Sequence, residues 1–285
     1  MGWDVKKAKT YGKWAVGLFF LLALVTFYVS PRNIFAQVVY LIAPLSTLLA
    51  GILITKKYYP GGFKGVVYLY FTIGLGLWFL GEFSEFVFAL DTFSHIDPFP
   101  SVADVFYLLG YPFLFMGAFV LLRQGEGYWN SFKRGSYAFG LLLAVALFAY
   151  FGIYLAYDAS VPMIENVITM LYNIGDFILV ICALSLIFVA HSSPDLSEHA
   201  LSRCWYTFVA GFFFTLVADI LYSYFQLQYE QELMPFVQLD LIWIAAYLLF
   251  TYAFFCMFLR VRSVEEDVGT KISSWKRSKK VISHS

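Results

Sequence analysis

The segment Gly65–Leu90 reads GVVYLYFTIGLGLWFLGEFSEFVFAL, and Glu82 and Glu85 are its only charged residues. A bilayer core about 30 Å thick needs about 20 consecutive apolar residues in a helix. The segment therefore predicts a transmembrane helix. Hydrophobic residues make up 61% of the whole chain and charged residues 13%, whereas soluble domains have roughly 45–50% and about 25%. The chain is predicted to be an integral membrane protein in contact with the lipid bilayer.

Comparable apolar runs recur along the chain, and they predict an all-α protein with eight transmembrane helices. All eight belong to a single polytopic membrane domain, residues 1–262. A polar, basic tail at residues 263–285 is too short for a hydrophobic core. The predicted helices are Lys13–Val29, Ile34–Thr55, Gly65–Leu90, Ser101–Leu122, Ser136–Tyr157, Met163–Ala190, Cys204–Leu227 and Phe236–Leu259.

The basic residues are placed on one side of the predicted bundle. Of the 19 lysines and arginines, all except Arg32 fall at one set of alternate connections between the apolar runs. Cytoplasmic loops retain an excess of lysine and arginine. Both chain ends belong to this basic set. The sequence therefore predicts a multi-pass protein of the cell membrane with cytoplasmic N and C termini and short, acidic outer connections.

The third and fourth predicted helices resemble the seventh and eighth. An offset of four helices preserves direction, so a duplication would give two parallel four-helix halves, at about residues 13–123 and 136–262. Their twofold axis would follow the membrane normal. Chance similarity between aromatic-rich helices is the alternative explanation. The matched positions are Gly74 with Gly211, Glu82 with Asp219, Asp104 with Asp240, Tyr107 with Trp243, Tyr111 with Tyr247 and, more weakly, Tyr40 with Tyr172 and Pro44 with Asp176.

Carboxylates inside the predicted spans are the main functional signal, because a charge at the bilayer centre costs about 2.5–3.5 kcal/mol on insertion scales. Protonation, hydrogen bonds or a bound cation must offset that cost. Helical spacing places aromatic side chains on the same faces as the carboxylates, and aromatic rings attract organic cations. The candidate ligand-binding residues are Trp78, Glu82, Glu85, Asp104, Tyr107, Tyr111, Asp219, Tyr222, Asp240, Trp243 and Tyr247.

Several of these residues also have a purely structural interpretation. Asp104 follows Ser101 by three residues, as in a capping box at a helix start. Tyrosines and tryptophans near the ends of spans commonly anchor helices at the membrane interface. Asp176, midway along the sixth helix, is most simply a buried hydrogen-bond acceptor, and the carboxylates and phenols could form a network without any ligand.

Other kinds of site have little support in the sequence. His95 stands near Asp91 and Asp97, but one imidazole among carboxylates is weak support for zinc. No metal ligand, catalytic nucleophile or cofactor is assigned. The basic residues occupy loops and tails rather than a folded face, so no nucleic-acid partner is expected. The three cysteines, Cys182, Cys204 and Cys256, have no paired spacing and are interpreted as reduced apolar side chains.

Four segments carry a resemblance to a known family: Leu77–Glu82 (LWFLGE), Phe99–Pro112 (FPSVADVFYLLGYP), Ala218–Tyr222 (ADILY) and Asp240–Tyr247 (DLIWIAAY). They resemble the multi-helix membrane region found in front of bacterial diguanylate cyclases, cyclic-di-GMP phosphodiesterases and histidine kinases. The resemblance implies a membrane-embedded sensory module. No output domain is expected after the last helix, so a signal would pass to a separate cytoplasmic protein.

Three functions follow from these observations. The favoured one is a receptor-like sensory module with an outward-facing carboxylate–aromatic pocket that binds a small organic cation or an ion. A proton- or cation-coupled transporter of small molecules is the alternative, because transporters place carboxylates at the midplane between repeats. An intramembrane enzyme that uses paired carboxylates as acid and base is the third.

Overall fold

The computed structural model describes residues 5–30, 33–59, 62–90, 99–123, 140, 142–154, 157–192, 199–231 and 233–260, and these residues form helices and short connections. The predicted all-α class is confirmed. The helices are α1 (Val5–Val29), α2 (Ile34–Tyr58), α3 (Gly62–Leu90), α4 (Val102–Arg123), α5 (Leu142–Tyr154), α6 (Met163–Ser192), α7 (His199–Glu230) and α8 (Asp240–Arg260).

Seven of the described helices, all except α5, are long and apolar enough to span a membrane. This is the architecture expected of a multi-pass membrane protein. Their predicted positions agree with the structure, although α1 and α7 begin earlier than the apolar runs suggested. A 3-10 turn at Phe236–Leu239 precedes α8. The predicted eighth span, Ser136–Tyr157, is represented by the shorter apolar helix α5, and residues 136–139, 141 and 155–156 lie outside the described residues.

Close backbone contact holds α3 and α4 together. A Cβ atom added at Gly74 would lie 3.0 Å from the Gly110 carbonyl oxygen, and one added at Gly110 would lie 3.0 Å from the Gly74 carbonyl oxygen. Small residues at a helix interface permit this approach, and packing of this kind drives helix association in membranes. The contact brings the site-bearing ends of α3 and α4 side by side.

Hydroxyl groups join α2 to its neighbours. Thr47 Oγ1 donates to the Tyr247 carbonyl oxygen at 2.7 Å and lies 2.9 Å from Thr251 Oγ1. About two turns further along α2, Thr55 Oγ1 lies 2.8 Å from Thr72 Oγ1 of α3. These bonds satisfy polar groups inside an apolar bundle. They also place α2 between α3 and α8.

The middle of the bundle contains a group of phenylalanines whose rings meet edge-on or tilted. Phe71 of α3 and Phe208 of α7 meet with ring centroids 4.9 Å apart. Phe208 also contacts Phe250 and Phe254 of α8, at 5.0 Å and 5.2 Å. Edge-to-face contacts at these distances contribute about 0.5–1.5 kcal/mol each beyond burial. The aromatic core therefore connects α3, α7 and α8.

Polar contacts hold the end of α5 against α6 and α7. Residues Ala149–Tyr154 form a π-helical turn at the end of α5, and Asn173 Nδ2 of α6 donates to the Gly152 carbonyl oxygen at 3.0 Å. Tyr224 of α7 donates to the Phe151 carbonyl oxygen at 2.9 Å. A widened turn leaves carbonyls outside the usual ladder, and side chains of α6 and α7 bond two of them.

Several sequence predictions lie outside the described residues. These are the basic tail at residues 263–285, the outer-loop residues Asp91, His95 and Asp97, and the inner basic residues Lys133 and Arg134. The division into one membrane domain of residues 1–262 stays a prediction. So do the inner and outer sides of the helix ends.

Candidate functional site

Glu82 is the best-enclosed carboxylate of α3, with 6% of its surface exposed. Its Oε1 accepts hydrogen bonds from the Tyr247 hydroxyl of α8 at 2.7 Å and from the Tyr40 hydroxyl of α2 at 3.1 Å. The Tyr107 hydroxyl of α4 also interacts with this carboxylate. Three phenols from three other helices therefore converge on one acid.

Glu85 lies one turn further along α3, and its side chain is exposed. It is within electrostatic range of Tyr40, Tyr107 and Tyr247, the three phenols around Glu82. Because Glu85 is exposed and Glu82 is buried, Glu85 marks the side on which these acids and phenols reach the surface of the bundle. The predicted pairing of these two acids on one helix face is consistent with this arrangement.

Asp104 caps α4, as the sequence predicts. The Ser101 backbone N–H donates to Asp104 Oδ2, and the Ala103 N–H donates to Ser101 Oγ at 3.1 Å. The other carboxylate oxygen, Oδ1, accepts from the Tyr172 hydroxyl of α6 at 2.6 Å. Asp104 thus has a structural role at the helix start and a second role as a contact between α4 and α6.

Removal of the Asp104 carboxylate is expected to destabilise the start of α4. Asp104→Ala should lower the free energy of unfolding by about 1–2 kcal/mol, since a lost helix cap costs about that much. Asp104→Asn keeps an acceptor oxygen and should retain most of the stability. Thermal unfolding of the detergent-solubilised variants measures both effects. Equal losses for alanine and asparagine would contradict the capping role and show that the charge itself matters.

Asp176 of α6 and Asp219 of α7 form a carboxyl pair, in which the two side chains are direct neighbours. Asp176 is 1% exposed, and its Oδ1 accepts from the Tyr111 hydroxyl of α4 at 2.6 Å. Asp219 Oδ1 accepts from the Trp243 indole of α8 at 2.8 Å. The pair therefore lies at the junction of four helices.

Asp240, the first residue of α8, is buried and accepts a 2.6 Å hydrogen bond from the Tyr229 hydroxyl of α7. Aromatic rings link it to the carboxyl pair. Tyr222 packs edge-to-face against Tyr229 at 5.3 Å and against Trp243 at 6.0 Å. The same indole that bonds Asp219 is thus part of the aromatic wall around Asp240.

Trp78 and Tyr111 form the aromatic side of the cluster on α3 and α4. Trp78 Nε1 donates to the Tyr107 carbonyl oxygen at 3.1 Å, and its ring meets Tyr111 edge-to-face at 5.5 Å. Tyr111 also lies 6.4 Å from Tyr172. These contacts connect the surroundings of Glu82, Asp104 and Asp176 into one continuous region, which we call the carboxylate–aromatic cluster.

The cluster extends from the end of the bundle where α3, α5 and α7 end and α4, α6 and α8 begin, near Asp104 and Asp240, toward the middle of α6 at Asp176. Every candidate residue proposed from sequence is in it or at its edge, with Glu85 on the exposed side. Sequence reasoning assigned no ligand role to Tyr40, Tyr172, Asp176 and Tyr229. The sequence contained a pointer to Tyr40, Tyr172 and Asp176, because they are among the matched positions of the second and sixth predicted helices. It contained none to Tyr229.

Asp158 provides a contrast near this end of the bundle. It is exposed in the connection between α5 and α6 and accepts from the Ser160 hydroxyl at 2.6 Å and from the Ser160 N–H at 2.8 Å. These two hydrogen bonds hold the pKa of Asp158 below its ordinary value. It is therefore ionised at neutral pH and serves as a reference carboxylate.

Within the described part of the chain, no group of three or more His, Cys, Asp or Glu side chains is arranged to hold a metal ion. Comparison with protein-family models, with curated proteins and with solved structures gave no match. The function is therefore inferred from the carboxylate–aromatic cluster itself.

Proposed function

We propose that this protein is an integral membrane sensory module that binds a small organic cation at the outer end of its helix bundle. The observation that carries the proposal is the convergence of Tyr40, Tyr107 and Tyr247 on Glu82. The acid is held by phenols from α2, α4 and α8 inside an aromatic surround, next to the exposed Glu85.

Such an arrangement is chemically suited to a quaternary or primary ammonium group. The carboxylate supplies charge pairing, and ring faces within about 6 Å add about 0.5–2 kcal/mol through cation–π attraction. Phenols that hydrogen-bond Glu82 keep its oxygens oriented before a ligand arrives. A preorganised site of this kind loses less entropy on binding.

The proposal includes a parallel duplication of four helices, which the packing supports. Gly74 of α3 faces Leu114 of α4, and Gly211 of α7 faces Phe250 of α8. Leu114 and Phe250 each lie ten residues after the aspartate near the start of their helix. Moreover, Phe71 and Phe208 each precede the matched glycine by three residues, and they contact each other. Contact between matched positions is what a twofold axis between the halves requires.

The proposal also includes eight spans, cytoplasmic termini and an outward-facing cluster, all based on the distribution of lysine and arginine. Binding between α2, α3, α4 and α8 would then alter the packing of the two halves. A separate cytoplasmic signalling protein would detect that change at the basic inner face. The resemblance to sensory membrane regions supports this assignment.

A proton- or cation-coupled transporter is the second candidate, and the depth of Asp176 favours it. Asp176 lies about 20 Å along α6 from its start at Met163, given a rise of about 1.5 Å per residue. That distance corresponds to the middle of a bilayer. Acids at the midplane between helix repeats carry coupling ions in many transporters.

Choline and its uncharged carbon analogue 3,3-dimethyl-1-butanol provide a matched test of cation binding. We expect choline to raise the unfolding temperature of the purified protein, with a stabilisation of about 2.7 kcal/mol at a hundred times its dissociation constant. The neutral analogue has the same shape without the charge and should have little effect. Equal stabilisation by both compounds, or by neither, would reject a cation site.

Proteoliposomes loaded with buffer separate the two functions. A sensory module should bind radiolabelled choline at the outer face without accumulating it. Accumulation that follows an imposed proton gradient would reject the sensory assignment in favour of the transporter. Inside-out and right-side-out vesicles also test whether the cluster faces outward.

A further inference from the structure

One carboxylate oxygen of the Asp176–Asp219 pair receives no hydrogen bond from the described residues. Asp176 Oδ2 is buried, and no N–H or O–H group of the described residues donates to it. Its neighbour in space is the Asp219 carboxyl group. Two ionised carboxylates offer acceptors only, so they cannot hydrogen-bond to each other without an additional proton.

The groups around the pair favour the state with one bound proton over the state in which both carboxyl groups are ionised. Among the described residues, the titratable groups that face the pair are phenols. Tyr111 of α4 donates to Asp176, and Tyr172 of α6 and Tyr247 of α8 are within electrostatic range of Asp219. Trp243 contributes a neutral indole N–H. Two carboxylates in contact cannot both remain ionised in such a setting, and they share one proton instead.

Neighbouring polar groups are already used. Asn173 Nδ2 of α6 bonds the Gly152 carbonyl oxygen and, at 3.1 Å, Ser223 Oγ of α7. Ser223 in turn donates to the Asp219 carbonyl oxygen at 2.7 Å. These donors hold the backbones of α5, α6 and α7 in position around the pair. These donors are therefore not available to the two carboxyl groups, and a bound proton must supply the hydrogen bond between them.

We propose that Asp176 and Asp219 form a proton-binding site in the middle of the bundle, in which the two carboxyl groups share a single exchangeable proton. The acids and donors of this site differ from those of the Glu82 cation site, although α4 and α8 contribute to both: Asp176 and Asp219 accept from Tyr111 and Trp243, whereas Glu82 accepts from Tyr40 and Tyr247. The proposed proton-binding site does not depend on the protein's binding choline. Uptake of one proton by this pair closes the contact between α6 and α7, and loss of the proton leaves two adjacent negative charges there.

Infrared spectroscopy of the purified protein at neutral pH tests the site, because a protonated carboxyl group has a carbonyl-stretch band that a carboxylate lacks. We expect wild-type protein to show this band, with a shift on transfer to D2O. Asp219→Asn and Asp176→Asn should each lose the corresponding intensity, because the amide supplies the donor and the remaining acid ionises. Asp158→Asn, at an ionised exposed acid, should leave the band unchanged.

Thermal unfolding of each variant establishes that it is folded before its spectrum is interpreted. If both single variants retain the full wild-type band, the proposal is wrong. Loss of the band on adding NaCl or CaCl2 at fixed pH would also overturn it, because the pair would then be holding a metal cation. Choline binding that persists in Asp176→Asn, together with loss of the band, separates this site from the Glu82 site.

Discussion

The Gly110→Leu substitution is expected to lower the free energy of unfolding by about 3 kcal/mol, since overpacking a close helix contact costs about 1–3 kcal/mol or more. At position 110, even a Cβ atom would lie 2.6 Å from the Trp78 ring and 3.0 Å from the Gly74 carbonyl oxygen. The ring could turn aside only by losing its hydrogen bond to Tyr107. The backbone of α3 would have to move away.

Two buried cysteines can report the unfolding of the Gly110→Leu variant. Cys204 and Cys256 are buried and form no disulfide bond, so a thiol-reactive fluorophore reports their exposure as the protein unfolds. Gly17→Leu is the matched control, because nothing lies within 4 Å of an added Cβ atom at that position of α1. We expect the control to unfold at the wild-type temperature. Similar losses for both variants would show that the α3–α4 contact is not specially close-packed.

The Glu82→Gln substitution is expected to weaken choline binding about 30-fold while leaving the protein folded. Loss of one partner of a buried charge pair costs about 2 kcal/mol or more, and about 2 kcal/mol corresponds to about that change in the dissociation constant. The amide keeps an oxygen that Tyr40 and Tyr247 can still bond. Stability should therefore change little, or increase, since a buried charge is removed.

Isothermal titration with choline measures the effect, and Glu165→Gln is the control. Glu165 lies in the first turn of α6, away from Glu82 and its phenols. Its change to glutamine alters the net charge by the same amount as Glu82→Gln. We expect unchanged affinity for that control. If Glu82→Gln binds choline as the wild type does, the cation site at Glu82 is refuted. If the variant fails to fold, Glu82 is structural.

The helix positions were predictable because apolar length and the cost of exposed backbone in lipid leave few alternatives. The cap at Ser101 and Asp104 was predictable because it is local in sequence. The π-helical turn at Ala149–Tyr154 of α5 was not predictable, since hydropathy does not reveal it. Apolar runs also did not reveal that α7 starts at His199, because its first turns are polar.

The partners of the acids were not predictable from spacing. A helical repeat shows which side chains share a face, and it placed Tyr107 and Tyr111 with Asp104 correctly. It does not show how helices are arranged around one another. Tyr172 bonds Asp104 from 68 residues away, and Tyr247 bonds Glu82 from 165 residues away. Asp176 and Asp219 likewise meet only because α6 packs against α7.

The bond from Tyr247 to Glu82 has a consequence for biogenesis. During translation the acid of α3 leaves the ribosome long before α8 has been synthesised. Until then only Tyr40 and Tyr107 can accompany it, and Thr47 lacks the Tyr247 carbonyl oxygen that it later bonds. A nascent chain interrupted before Asp240 therefore carries an acid that lacks one of its hydrogen-bond donors, and synthesis of α8 supplies it.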